Sequence, residues 1–328
     1  MAPEAAGERT AFVFAGGGSL GAVQVGMLKA LLASGIRPDF VVGSSVGAIN
    51  AAFYAGWPDA EGVARLDFLW RTLRRQQVFP VSVLRGMLGL LGLRDHLVDP
   101  GPLAELLERE LPYRRLEAAR IPCYVIASDL RDGAEVVLAA GSVSAALRAS
   151  TALPAVFPPV CVGGRSLIDG SVTSNTPLSA AVRKGATRIV VLPTGSPCAL
   201  ERPPRGPIAM ALHALNLLIA KQLLLELERH PGDSRLVVVP PLCPLATSPY
   251  DFSRSGTLID RAEQATLHWL EGGGLEHAGV PWQLAPHTHP GGGEPALAGR
   301  DWPRAVSQSS GQATQCGPGE EGGWGPAA

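Results

Sequence analysis

Residues 11–54 read AFVFAGGGSLGAVQVGMLKALLASGIRPDFVVGSSVGAINAAFY, and the order of apolar runs and glycines in this stretch decides the fold. Ala11 to Phe14 is a short apolar run that feeds Gly16, Gly17 and Gly18 and then a helical pattern from Leu20 to Ala33. Phe40 to Val42 repeats the arrangement: the run ends in Gly43-Ser44-Ser45-Val46-Gly47 and continues as an Ala-rich helix, Val46 to Tyr54. Strand, tight turn and helix, twice over, is the unit of a parallel sheet whose strands are buried on both faces and so read as continuous apolar runs.

The alternation persists outward to about residue 270. Further strands are expected at Cys123 to Ala127, Arg188 to Leu192 and Leu236 to Val239, and a Gly163-Gly164 turn joins two more. Further helices are expected over Ala60 to Arg74, Leu103 to Glu110, Ser142 to Ser150, Pro177 to Lys184, Ile208 to His230 and Thr257 to Leu270. The expected class is α/β: a mostly parallel central sheet with helices on both faces, a three-layer α/β/α sandwich. After about Gly272 the sequence turns to Gly, Pro, Ser and Gln without periodicity. One domain over 10–275 and a disordered tail over 276–328 are therefore expected.

A chain of 328 residues that is 46% hydrophobic and 17% charged can bury a large core. Its 28 Lys plus Arg against 29 Asp plus Glu leave a formal charge of -1, no field for a polyanion, so nucleic acid is not an expected partner. The five cysteines form no CxxC pair and no zinc-like spacing with histidine, which fits a reducing cytoplasm. No secretory signal is read in MAPEAAGERT. VSVLRGMLGLLGL (81–93) is too short to span a bilayer, and His213, Asn216 and Lys221 interrupt the later apolar helix. The expectation is a soluble cytoplasmic protein, with these two segments as candidates for peripheral contact with a membrane or an acyl chain. No cofactor and no metal is expected. His287 and His289 form an HTH triplet with no third ligand nearby and read as solvated tail residues, and no acidic loop carries calcium-ligand spacing.

The first glycine loop opens a helix whose free N–H groups suit an anion. Gly16, Gly18 and Gly21 also satisfy G-x-G-x-x-G, but a dinucleotide site needs an acidic residue at the carboxyl end of the second strand. Asp39 precedes that strand, and Gly43, Ser44 and Ser45 stand at its end. The plain alternative, glycines that only permit close packing, does not require three in a row.

Gly43-Ser44-Ser45-Val46-Gly47 matches G-x-S-x-G between a strand and a helix, the setting of a nucleophile elbow. The serine of so sharp a turn is strained, Gly43 and Gly47 remove side chains that would clash, and the hydroxyl points out at a helix N-terminus. Ser45 centres the motif and Ser44 is a turn residue. A serine hydroxyl needs a base, yet no histidine sits convincingly on a loop after a core strand. Asp169, delivered by VCVGGRSLIDGS (160–171) into a Gly-Ser turn, is a candidate. Alone it reads equally as an Asp capping its own turn.

GGGSLG after the first strand, GSSVG after the second and DGS after a hairpin, in this order, resemble the patatin-like phospholipase family. ASTALPAVFPP (149–159), SNTPL (174–178) and DFSRSGTLIDRAEQAT (251–266) add to the likeness. The resemblance implies a Ser–Asp dyad without histidine on a patatin-like sandwich: Ser45 as nucleophile, Asp169 as proton acceptor, the Gly16, Gly17 and Gly18 amides as oxyanion hole, and Gly21, Gly43, Gly47 and Gly170 as motif support. It further implies a lipid acyl ester as substrate. Two departures stand out: Leu20, where many members carry Arg or Lys, and Ser171 in the Asp motif, where Gly or Ala is usual. A soluble carboxylesterase or thioesterase with the same dyad is the rival within the chemistry. A non-catalytic nucleotide- or lipid-binding protein using the glycine loop is the rival outside it.

Overall fold

The apolar runs form strands because chain breakers bound each one and both faces of each find cover. The computed structural model describes residues 7–80, 96–195, 197–199, 206–228, 234–276, 280–285, 287 and 289. In chain order the elements are β1 (Thr10–Phe14), α1 (Gly21–Ala33), β2 (Phe40–Ser44), α2 (Val46–Gly56), α3 (Ala60–Thr72), α4 (Arg75–Val78), α5 (Gly101–Glu110), β3 (Cys123–Asp129), β4 (Glu135–Leu138), α6 (Val143–Ser150), β5 (Val160–Val162), β6 (Arg165–Asp169), α7 (Leu178–Arg183), β7 (Arg188–Leu192), α8 (Pro207–Glu228), β8 (Arg235–Val238) and α9 (Ser255–Glu271). The expected strands and helices are all present, with ends shifted by a few residues. The edge strand β4 and the single-turn α4 were not expected, both being too short to show a periodic pattern.

The sheet runs β5-β6-β3-β2-β1-β7-β8, with β4 also paired to β3. Strands β3, β2, β1, β7 and β8 are parallel; β4, β5 and β6 are antiparallel additions at one end. Alternate residues face opposite cores. Phe12, Phe14, Val41 and Val125 pack with α1, α2, α5 and α6, whereas Ala11, Val13, Phe40 and Val42 pack with α7 and the end of α8. This is the three-layer α/β/α sandwich. Each fully buried Phe contributes about 1.5–3 kcal/mol by removal from water.

Helix α1 is buried around nearly its whole circumference, between the sheet and α9, which explains why its sequence is apolar on every side. Its Lys29 escapes by pairing with Asp67 and Glu263. Asp59 caps α3 by accepting from the Gly62 N–H at 2.8 Å.

One register governs the site. Ser44, the last residue of β2, lies opposite Ile126, and Asp169 of β6 lies opposite Ala127, the next residue of β3. Because β4 spans Val125 to Ser128, it must occupy the other edge of β3, so β6 takes over the edge that β2 vacates.

The chain separates into Met1–Pro295 and Ala296–Ala328, and the second unit lies outside the described residues, as does the apolar segment 81–93. Val280 and Leu284 pack against the second core, so packing continues past residue 275. Among the described residues no helix is long and apolar enough to cross a membrane.

Candidate active site

Ser45 sits between β2 and α2 with φ 52° and ψ −128°, a left-handed conformation that costs a non-glycine residue about 1–3 kcal/mol. Three contacts hold it there. Its N–H donates to Ser150 Oγ at 2.9 Å, its carbonyl accepts from the Ala48 N–H at 2.9 Å, and its hydroxyl donates to Asp169 Oδ2 at 2.8 Å. Ser150 is itself anchored, donating to the Ile126 carbonyl. The flanking glycines are required for space: a Cβ on Gly47 would strike the Phe14 and Ala15 carbonyls, and one on Gly43 would strike the Gly47 carbonyl. A Cβ on Gly170 would meet the Ile126 carbonyl, and one on Gly21 would meet Val46 and Trp70.

Asp169 is 2% exposed. Its Oδ1 accepts from the Ser171 N–H at 2.8 Å, and its carbonyl accepts from Ser128 Oγ at 2.8 Å. Burial pushes its carboxyl up to about 6, against the hydrogen bonds from Ser171 and Ser45 that favour the charged form. Ser171 thus supplies the carboxylate with its amide. The turn-capping and serine-pairing readings of Asp169 are both satisfied, one oxygen apiece.

The glycine loop carries its three amides in two different ways. The Gly16 N–H is committed to the Asn175 carbonyl at 3.1 Å, which takes it out of the expected donor set. No hydrogen bond to a described residue is made by the Gly17 or Gly18 N–H, and both glycines line the same cleft as Ser45 and Asp169. Gly18 has φ 58°, and a Cβ there would meet the Pro249 carbonyl; a Cβ on Gly17 would collide with Thr194. Thr194 Oγ1 donates to the Gly16 carbonyl at 2.8 Å and so braces the loop from β7. Leu20 is 1% exposed and belongs to the first core, so its departure from a basic residue places no charge near the cleft. Asp39 accepts from the Thr10 N–H at the amino end of β1, the opposite end of the sheet from the glycine loop, and cannot serve a dinucleotide ribose there.

A buried polar chain beneath the loop escaped sequence reasoning. Gln24 Nε2 donates to the Ala15 and Leu192 carbonyls, each at 2.8 Å, and Asn50 Nδ2 donates to Gln24 Oε1 at 2.8 Å and to the Gly21 carbonyl at 3.0 Å. Trp70 Nε1 completes it by donating to Asn50 Oδ1 at 2.9 Å. The available signal was a lone amide within each of two apolar helix segments, AVQVG and GAINA.

Ser45 and Asp169 open onto a cleft. Its walls are mainly apolar, with Ile49 and Phe53 from α2, Leu106 from α5, Phe157 before β5, and Leu215 and Ile219 from α8. On α8, Leu223 and Leu227 are buried, while Met210, Leu217, Leu218 and Leu225 are exposed. No histidine among the described residues lines the cleft. His287 and His289 require a correction: they are not solvated tail residues without a third ligand but stand beside Cys198 and Cys243. The cysteines arrive on loops after neighbouring strands, so the cluster has no counterpart in linear spacing.

A family model described as Patatin-like phospholipase matches residues 12–182, more than half of the 328-residue chain. Patatin-like phospholipase domain-containing protein 6 of Homo sapiens is 28% identical over 192 residues, covering 58% of this chain and 14% of that protein. An uncharacterised NTE family protein of Mycobacterium bovis is 33% identical over 181 residues, covering 54% of this chain and 29% of that one. The matched part is less than a third of either relative's length. Human GIVD cytosolic phospholipase A2 in complex with methyl gamma-linolenyl fluorophosphonate superposes with a TM-score of 0.41 at 14% identity, over 83% of this chain and 59% of that one. On the family match, this chain belongs to the patatin-like phospholipase family.

Proposed function

We propose that the protein is a lipid acyl hydrolase that cleaves a carboxylic ester with Ser45 as nucleophile and Asp169 as its base. The observation that carries this is the 2.8 Å hydrogen bond from Ser45 Oγ to a buried Asp169 carboxylate, at a strained strand–helix corner inside an apolar cleft. Asp169 accepts the hydroxyl proton as Oγ attacks the ester carbonyl, and the Gly17 and Gly18 amides receive the developing oxyanion. Collapse of the tetrahedral intermediate expels the alcohol, which takes up the proton from Asp169, and leaves an acyl-enzyme. Water then attacks that ester, with the same carboxylate as base.

Desolvation makes the mechanism workable. A carboxylate at its ordinary basicity competes poorly for a serine proton, and burial raises the proton affinity of Asp169. The apolar lining of the cleft favours an acyl chain of some length over the short acid of a general carboxylesterase or thioesterase. Exposed Met210, Leu217 and Leu218 lie on the same helix as cleft-lining Leu215 and Ile219, which supports peripheral contact with the lipid surface.

A fluorophosphonate probe on the intact chain, followed by peptide mass spectrometry, should label Ser45. Hydrolysis of long-chain phospholipid or lysophospholipid vesicles should exceed that of a short soluble ester at equal ester concentration. Labelling of another serine overturns the nucleophile; turnover of only the short ester overturns the lipid substrate and leaves the dyad standing.

A further inference from the structure

Away from the dyad, four side chains able to ligate a metal converge beyond the ends of β7 and β8. Cys198 follows β7, Cys243 follows β8, and His287 and His289 come from the segment after Ala285. All four are half-buried, and one ligand atom from each lies within 4.8 Å of the other three. The two sulfurs are 4.0 Å apart, and Cys243 Sγ is 3.2 Å from Nε2 of His287 and 3.2 Å from Nε2 of His289. A tetrahedral zinc ion, with bonds of about 2.3 Å to sulfur and about 2.0–2.1 Å to nitrogen, sets its ligand atoms roughly 3.3–3.8 Å apart. The observed separations bracket that spacing.

We propose that Cys198, Cys243, His287 and His289 hold one zinc-class divalent cation in a closed structural site. Two sulfurs and two imidazoles form a donor set suited to a tetrahedral, borderline-soft ion. The surroundings orient the donors for it. His287 Nδ1 lies 2.7 Å from the Ala285 carbonyl, so with the proton on Nδ1 the Nε2 lone pair faces the cluster. The Leu245 N–H donates to Cys198 Sγ at 3.4 Å, a contact that favours a thiolate. The two imidazole rings are nearly perpendicular, at 89°, with centroids 4.9 Å apart, an arrangement that lets both reach one point.

A disulfide explains the cluster less well. The sulfurs stand at 4.0 Å rather than the roughly 2.05 Å of a bond, and a disulfide gives both imidazoles no role. Binding is not a redox step: two thiols lose their protons to solvent, and the two thiolates balance the dication, so the half-buried site ends neutral. All four positions are filled by the protein, which leaves none for substrate and marks the ion as structural. It would fasten the segment after Ala285 to the loops that follow β7 and β8. The first of these loops carries Thr194, which donates to the Gly16 carbonyl.

The test uses the full chain without a polyhistidine tag. Elemental analysis should find about one zinc per chain. The paired Cys198→Ser, Cys243→Ser variant and the paired His287→Ala, His289→Ala variant should lose it, while Cys161→Ser, at an exposed cysteine, keeps it. A reading independent of variant folding comes from cobalt. The chelator-treated wild type titrated with Co²⁺ should develop tetrahedral d–d absorption and a thiolate-to-cobalt charge-transfer band, both abolished by added Zn²⁺. A wild type free of metal that shows neither band overturns the proposal. So does retention of zinc in both paired variants, or a Cys198–Cys243 disulfide in protein kept under reducing conditions.

Discussion

The two corners at the carboxyl edge of the sheet are finished in opposite ways. After β2, the amide, carbonyl and hydroxyl of Ser45 each have a partner, although the backbone is strained. After β1, Gly17 and Gly18 line the cleft, avoid a side-chain penalty and leave two amides without a described partner. One corner holds a group under tension and fully oriented; the other holds donors in reserve. On the proposed mechanism the difference has a reason: a nucleophile must be aimed before substrate arrives, whereas an oxyanion exists only during the reaction, so its donors must wait.

Substitutions can separate the two corners. The largest effect is expected at the strained one: Ser45→Ala or Asp169→Asn should lower turnover roughly 10⁴- to 10⁶-fold, with the double variant little worse than either single change because the pair acts as a unit. Steady-state ester hydrolysis checks this, and additive losses would show two independent roles. At the other corner, Gly17→Val should cost about 100- to 1,000-fold in turnover as the loop shifts away from Thr194. Its pH midpoint should be unchanged, since no titrating group is touched.

The strained corner should also show a stability cost. The Asp169 carboxyl is raised from 3.8 to about 6 by burial, so the folded state favours its neutral form. That preference carries no penalty below the unfolded value, and the penalty is complete once pH passes the folded value. Asp169→Asn should therefore be more stable than the wild type at pH 7, by up to about 3 kcal/mol, and the gain should shrink to under about 1 kcal/mol at pH 4. Urea unfolding at the two pH values measures it; a less stable variant at pH 7 would mean the carboxylate is a net structural asset. The smallest effect is kinetic. Activity needs ionised Asp169 and should rise about tenfold from pH 5 to pH 7, with its midpoint near 6.

Much of this architecture could be read along the chain because its determinants are local. The strands announce themselves as apolar runs such as AFVF and RIVVL, which a sheet buried on both faces demands, and Ser45 and the three glycines lie within one strand–turn–helix repeat. Asp169 needed the order of three motifs, since turn capping alone also accounts for an Asp before Gly-Ser. What stayed hidden depends on contacts between distant segments. Gln24, Asn50 and Ser150 look like ordinary helix residues until the backbone carbonyls they serve are known. The commitment of the Gly16 amide to Asn175 and the meeting of Cys198, Cys243, His287 and His289 arise in the same way, across 44 or more positions of chain in each contact.

The edge of β3 that passes from β2 to β6 means that the gap between hydroxyl and carboxylate is counted in peptide units rather than tuned by side-chain packing. Helices on either face can drift through generations of substitution without altering that count. A slip of one residue in β6 behaves differently: it would bring Ile168 or Gly170 opposite Ala127 and remove the acid altogether, so this pairing has no small variation open to it.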